Sequence, residues 1–331
     1  MLSFTKGANG MLYLSDRDIH AAGAEWNSLV DAMESAVRIM DSGDYAQPVK
    51  PYLRYKNPAN RIIAMPAYMG GTVNAAGLKW IASFPDNIRS GLPRAHSVTV
   101  LNDPDTGRPS AVLNSPLPSV LRTASVSGLM IRSFLRERPE ASIRLGIIGW
   151  GPIGRCHYEM AAALYGDRIE RILVHDIRGV DLSKTPSSYR EKTRVAGTWQ
   201  EVYGQSNVFI TCTVSKERYI NLSPAPGMLL LHVSLRDYLP EALAGIRTII
   251  VDDWEEVCRE NTDIELLHLK VGLMRNGTRS LADAVIRRCL AEAAPEQPVL
   301  FCPMGMAAFD IATAVYCVNR ARELGFGMEL E

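Results

Sequence analysis

The chain has 331 residues, 47% apolar and 22% charged, the mixture of a water-soluble protein with enough core for about two domains. Lys plus Arg and Asp plus Glu number 36 each, so no overall field draws it to nucleic acid or to an anionic membrane. Six scattered cysteines without zinc spacing, no secretion-signal pattern and no apolar run of bilayer length predict a cytoplasmic protein with free thiols and no metal centre.

Residues 1–10 read as a loose leader. A short helix is expected over Ser15–Ala22 with Ser15 as its cap. A longer one over Glu25–Met40 carries Leu29, Met33, Val37 and Met40 as one apolar stripe. From Pro51 to Leu101 the pattern turns β-rich, with strands predicted at Pro51–Tyr55, Arg61–Met65, Ala76–Ser83 and Ser97–Leu101. Turn signals such as Gly70-Gly71 and Asp105-Thr106-Gly107 punctuate this half of the chain. A helix over Ser119–Leu135 follows.

The stretch Leu145–Gly154, L-G-I-I-G-W-G-P-I-G, is the most informative in the chain. It joins a strand pattern (Ser142–Ile148) to a glycine turn and then to an amphipathic helix (Arg155–Tyr165), the context a dinucleotide fingerprint requires. Gly149 permits the tight turn, Gly151 lets backbone approach a pyrophosphate, and Gly154 allows close helix–sheet packing. Pro152 and Ile153 open the helix, whose first N–H groups and partial positive charge suit phosphates. The next strand, Arg171–His175, ends at Asp176, placed to accept hydrogen bonds from ribose hydroxyls. A carboxylate there repels a ribose phosphate and favours NAD over NADP; Arg178 would soften that preference. The alternative is an ordinary strand-end carboxylate.

Strand patterns recur at Val208–Thr211, Met228–His232, Thr248–Val251 and Val299–Cys302, with helical patterns between most of them. This alternation predicts an α/β fold with a doubly wound parallel sheet of Rossmann type. A closing helix is expected at Ala308–Leu324.

Several motifs coincide with one family. They are R-I-I-A-M-P at Arg61–Pro66, G-L-K at Gly77–Lys79, G-L-P at Gly91–Pro93, D-P-x-T-G at Asp103–Gly107, L-R-T-A at Leu121–Ala124 and G-M-A-x-x-D at Gly305–Asp310. Through them the chain resembles the ornithine cyclodeaminase/mu-crystallin family along almost its whole length. K-P-Y-L-R (Lys50–Arg54), K-W-I-A-S (Lys79–Ser83) and I-T-C-T-V (Ile210–Val214) resemble one branch of it. That branch oxidises N-(2-amino-2-carboxyethyl)-L-glutamate with NAD and hydrolyses the imine. The products are L-2,3-diaminopropionate, 2-oxoglutarate and NADH, used for siderophores and related natural products. The resemblance further implies a discontinuous α+β substrate and dimerisation domain (1–125 and 308–331) around an NAD domain (126–307), and a homodimer. A cyclodeaminase, an alanine or imine dehydrogenase, and a non-catalytic binding protein are the rival readings.

An amino-acid conjugate with three carboxylates calls for several cations. By resemblance these are Arg54, Lys79 and Arg122; the alternative for Arg54 and for Arg122 is a surface or interdomain salt-bridge residue. Arg94 and His96 depart from the family pattern after G-L-P and would enlarge the cationic character of the pocket. Lys79 sits in an apolar strand, where a lysine is costly unless paired or catalytic; the alternative is a snorkelling side chain. Asp237, after the Leu229–Ser234 strand, is the expected base for the amine and orienter of water, or else a helix cap. Either it or Lys79 takes the first proton. Thr211 and Thr213, with Ser234, are expected beside the nicotinamide ribose, or are plain strand ends. Cys156–His157 imitates a nucleophilic dyad, but neighbours on a helix point apart. Asp252-Asp253 reads as a helix cap rather than a metal site.

Overall fold

The computed structural model describes residues 10–183 and 185–331, so the expected leader lies outside the described residues except for Gly10. Two units divide the chain: one runs to Arg122 and resumes over Gly305–Glu331, and the other is Thr123–Met304.

The first unit is built on a mixed sheet of β1 (Met11–Ser15), β2 (Tyr45–Ala46), β3 (Tyr52–Leu53), β4 (Arg61–Met69), β5 (Ala75–Ser83), β6 (Ala95–Asn102), β7 (Pro109–Asn114) and a closing strand, Met328–Leu330. Its order is closing strand, β1, β7, β6, β5, β4, β2, with β3 also on β4. Sequence patterning missed β1, β2, β7 and the closing strand, and drew β3 too long. β4 continues past Pro66, which falls between the residues paired to β3 and those paired to β2. A missing N–H costs the ladder least there.

Helix α1 (Asp16–Ala22) starts on a Ser15–Asp18 capping box, and Glu25 caps α2 (Trp26–Asp41). The apolar stripe of α2 buries Leu29, Val30, Met33 and Val37. The closing helix, Ala307–Leu324, is buried along most of its length and packs on α2, β4 and β5. A Cβ on Gly77 would lie 2.4 Å from the Val100 carbonyl oxygen and 2.9 Å from Ile311 Cδ1, so only glycine admits this helix at that height.

In α3 (Leu117–Arg136) the chain passes the boundary of the two units. The second unit is an all-parallel sheet of β8 (Ile143–Ile148), β9 (Ile169–His175), β10 (Thr193–Val195), β11 (Val208–Thr211), β12 (Leu229–His232), β13 (Thr248–Val251), β14 (Arg279–Ser280) and β15 (Val299–Cys302). Its order, β10-β9-β8-β11-β12-β15-β13-β14, reverses direction between β8 and β11. Chains leaving these two strands in opposite directions open the crevice where α/β sheets bind ligands. The central strands are wholly buried apolar runs, as a sheet covered on both faces demands.

Candidate functional site

In the first unit the chemistry starts with strand alternation. Gly77, Lys79 and Ile81 face one side of β5, while Leu78, Trp80 and Ala82 face the other. The Gly77 side receives the closing helix, so Lys79 is carried into the interior, 2% exposed. Its Nζ donates to Asp310 Oδ2 at 2.6 Å and to Ser119 Oγ at 3.2 Å. Arg122 Nε donates to the other oxygen of Asp310 at 3.0 Å. Lys50, also buried, donates from Nζ to the Gly305 carbonyl at 2.8 Å. Gly305 has φ +87°, and a Cβ there would stand 2.6 Å from an Arg122 guanidinium nitrogen, so glycine is needed on both counts.

Burial pushes the Lys79 ammonium down to about 8; Asp310 pulls it back up, while Arg122 and Lys50 push it lower. Burial alone would raise the Asp310 carboxyl, yet Arg122 and Lys79 hold it below the ordinary carboxylate range. Near neutral pH the Lys79–Asp310–Arg122 group is therefore ionised throughout, two cations against one carboxylate.

Lys50 and Asp310 were not singled out from the sequence as site residues. Both lay inside motifs that were, K-P-Y-L-R and G-M-A-x-x-D, and a buried lysine needs a carboxylate partner. The structure does not gather the other predicted cations with them. Arg54 lies beyond the two-residue β3, exposed, its guanidinium 5.3 Å from the Tyr52 ring centroid and donating to Pro58 O at 3.3 Å. Arg94 precedes β6 and is half-buried. His96 pairs with Ala82, which puts it on the face opposite Lys79, beside Trp80, Val98 and Asn114. Pleating, not distance along the chain, separates His96 from the cluster.

In the second unit the glycine turn follows β8. Gly149 has φ +92°, and a Cβ there would meet the Cys212 carbonyl oxygen at 2.5 Å; a Cβ on Gly154 would sit 1.9 Å from Gly149 O. At Gly151 the same atom would meet nothing within 4 Å, an open cradle at the start of α4 (Pro152–Tyr165). The first helical bond runs from Arg155 N–H to Gly151 O, which leaves the Ile153 and Gly154 N–H groups without an intrahelical acceptor. Asp176 reaches this turn: Oδ2 accepts the Trp150 N–H at 2.7 Å and Oδ1 the Arg178 N–H at 2.8 Å. These residues fit a dinucleotide: Gly151 and the helix N-terminus would hold its pyrophosphate, and Asp176 would accept from ribose hydroxyls. Gly151→Ala should fold as the wild type does and bind NAD at least tenfold more weakly. Gly154→Ala should lose both binding and thermal stability. Calorimetric titration with NAD+ and melting curves check the pair, and equal behaviour of the two variants would refute this division of labour.

Asp237 is fully buried. Its carboxylate accepts hydrogen bonds from Thr213 Oγ1 and Ser234 Oγ and is hydrogen-bonded to the Tyr219 hydroxyl. It is not a helix cap, because the next helix, Pro240–Leu243, has Leu239 at its N-cap. Thr213 and Ser234 lie just past the ends of β11 and β12 and meet on the Asp237 carboxylate. Thr211, the last residue of β11, is 0% exposed and bonded through Oγ1 to His232 Nδ1 at 2.8 Å. His232 and Asp263, bonded at 2.6 Å behind Asp237, escaped sequence reading, since neither lies in a recognisable motif.

Cys156 and His157 form no dyad. Burial pushes the thiol far up and the imidazole down to about 4; the ring binds Ile153 O and Ser127 Oγ. Asp253 caps the helix Trp254–Val257, and Asp252 accepts the Met304 N–H at 3.0 Å.

The model of the ornithine cyclodeaminase/mu-crystallin family matches residues 18–325. The chain belongs to that family. It is similar to N-((2S)-2-amino-2-carboxyethyl)-L-glutamate dehydrogenase of Staphylococcus aureus, 31% identical over 97% of this chain and 98% of that one. Among solved structures it is similar to the Δ1-pyrroline-2-carboxylate reductase of Thermococcus litoralis in complex with NADH and L-proline, with a TM-score of 0.84 and 23% identity over 97% and 100% of the two chains. An archaeal alanine dehydrogenase dimer with bound NAD superposes with a TM-score of 0.79 and 23% identity over 97% and 99%.

Proposed function

We propose that this family member is an NAD-dependent dehydrogenase that oxidises N-(2-amino-2-carboxyethyl)-L-glutamate and hydrolyses the product imine. The buried Lys79–Asp310–Arg122 group carries the reading. Two cations on one carboxylate leave positive charge in a desolvated setting, as a substrate with three carboxylates requires. The likeness to the staphylococcal enzyme along the whole of both chains supports this substrate over others in the family.

When bound, NAD supplies the hydride acceptor for the glutamyl α-carbon. The chain's own residues do the rest. The fingerprint turn and Asp176 orient the dinucleotide. Lys79 and Arg122 hold substrate carboxylates. Asp237, through Thr213, Ser234 and Tyr219, accepts the proton of the substrate ammonium, so that the free amine pair assists hydride departure. That proton passes to solvent, after which Asp237 draws one from the water that adds to the imine carbon and returns it to the departing amine nitrogen. Collapse of the carbinolamine breaks the C–N bond and yields 2,3-diaminopropionate and 2-oxoglutarate, one building block for natural products of the siderophore type.

The sheet face of the first unit that carries Trp80 and Val98 lies opposite the closing helix. Trp80 is 41% exposed on it, which supports a homodimer formed through this face. Light scattering at one chain mass would refute the dimer. For the reaction, purified protein is incubated with NAD+ and the conjugate. The reading expects NADH, 2-oxoglutarate and 2,3-diaminopropionate in equal amounts. Loss of L-ornithine without net NADH, or NADH from L-alanine in preference to the conjugate, would replace it.

Lys79 adds a pH signature. As a carboxylate holder it must stay protonated, so KM for the conjugate should rise above pH about 8 while kcat stays level. A kcat that climbs through that pH would make Lys79 the base instead.

A further inference from the structure

We propose that His232, clamped by Asp263, is a positioning residue that holds Asp237 ionised and fixed in its turn; this rests on Asp237 being the proton acceptor. His232 Nε2 lies 2.6 Å from Asp263 Oδ2, and Arg218 Nε donates to Asp263 Oδ1 at 2.6 Å. The same Asp263 Oδ2 accepts the backbone N–H groups of Asp237 at 3.0 Å and Tyr238 at 2.9 Å. The Asp263 N–H donates to Leu235 O at 2.8 Å. Leu235 has φ +64°, a left-handed conformation costly for leucine, so Asp263 pins a strained turn three ways.

On its other side His232 Nδ1 faces Thr211 Oγ1 at 2.8 Å and Asp237 Oδ2 at 3.7 Å. Asp237, Asp263 and His232 are buried and Arg218 nearly so. With a neutral ring the four groups carry one net negative charge, and with protons on both ring nitrogens they carry none. Buried charge persists where it is balanced, so the doubly protonated ring is the arrangement this cluster favours. The other titratable groups near the ring and Asp237 add no charge. Burial pushes Tyr238, Cys302, Cys212 and Tyr219 up, which keeps them neutral. Burial alone would raise the Asp263 carboxyl, but the His232 hydrogen bond, the Tyr238 N–H and Arg218 hold it low.

His232 touches neither substrate nor cofactor in this role, so kcat alone does not test it. In His232→Gln, NAD affinity and KM for the conjugate should stay within about threefold. Turnover should fall on the order of 10²-fold, and the acidic limb of the kcat profile should move up by about one pH unit or more, as a nearby cation is lost. An unmoved limb would overturn the proposal, whatever happens to kcat. Nitrogen-15 spectra of histidine-labelled wild-type protein give a second reading without turnover: both ring nitrogens of His232 should be protonated at neutral pH, with one proton lost in Asp237→Asn. A singly protonated ring in the wild type would overturn it equally. Should Asp237→Asn remain fully active, the assignment of the base fails, while the ring spectra still decide the charge state of His232.

Discussion

Asp310→Asn should cost the first unit about 3–5 kcal/mol of stability. The carboxylate is 3% exposed and holds Lys79 and Arg122 on its two oxygens. Without it two buried cations face each other, with Lys50 adding a third positive field. Lys79 can escape by releasing its proton, but a guanidinium cannot, so Arg122 keeps an uncompensated charge. Lys79→Met should cost much less, since Arg122 still neutralises Asp310 and the methionine fills the same space. Urea denaturation of the two variants checks the order, and a loss under about 1 kcal/mol for Asp310→Asn would mean that the cluster is solvated. The sign with pH follows from the depressed Asp310 carboxyl. Its contribution is present in full above the unfolded carboxylate range near pH 4 and fades as the pH falls below that.

Asp237→Asn should lower NADH formation from the conjugate by about 10³-fold or more and leave NAD affinity within about twofold. The amide has nearly the carboxylate's shape but cannot take a proton from an ammonium group. The glycine turn and Asp176, which orient the dinucleotide, are untouched. Steady-state rates and an NAD+ fluorescence titration on the same preparation separate the two effects. Retention of more than about a tenth of wild-type turnover would remove Asp237 from the chemistry and leave Lys79 as the candidate base. Weaker NAD binding in equal measure would instead point to a collapsed 234–237 turn. Asp263 is the residue whose hydrogen bonds hold that turn.

Much of the second unit was legible in residue order because its determinants are local. A strand, three glycines and a helix N-terminus are contiguous, and each glycine's task can be read from the backbone path it permits. β8, β9, β11, β12, β13 and β15 stand where apolar runs predicted them, since a strand covered on both faces needs no partner to be recognised. The same reading failed for β1 and β7. These are short strands held by neighbours on both sides: β1 by the closing strand and, in parallel over residues 12–15 against 111–114, by β7, and β7 by β1 and β6.

Residue order by itself determined the nucleotide turn, the acid at the end of β9, and the presence of lysine and arginine in an apolar setting. Only the tertiary structure decided which groups meet. Lys50, Lys79, Arg122 and Asp310 converge because a closing helix from the far end of the chain lies against β5. His96 departs to the other face because a strand alternates by one residue. Asp237 gained a hidden histidine and aspartate behind it because β12 and the helix Asp263–Val271 pack together. Burial and charge pairing are properties of neighbours in space, and such neighbours leave no periodic mark along a chain.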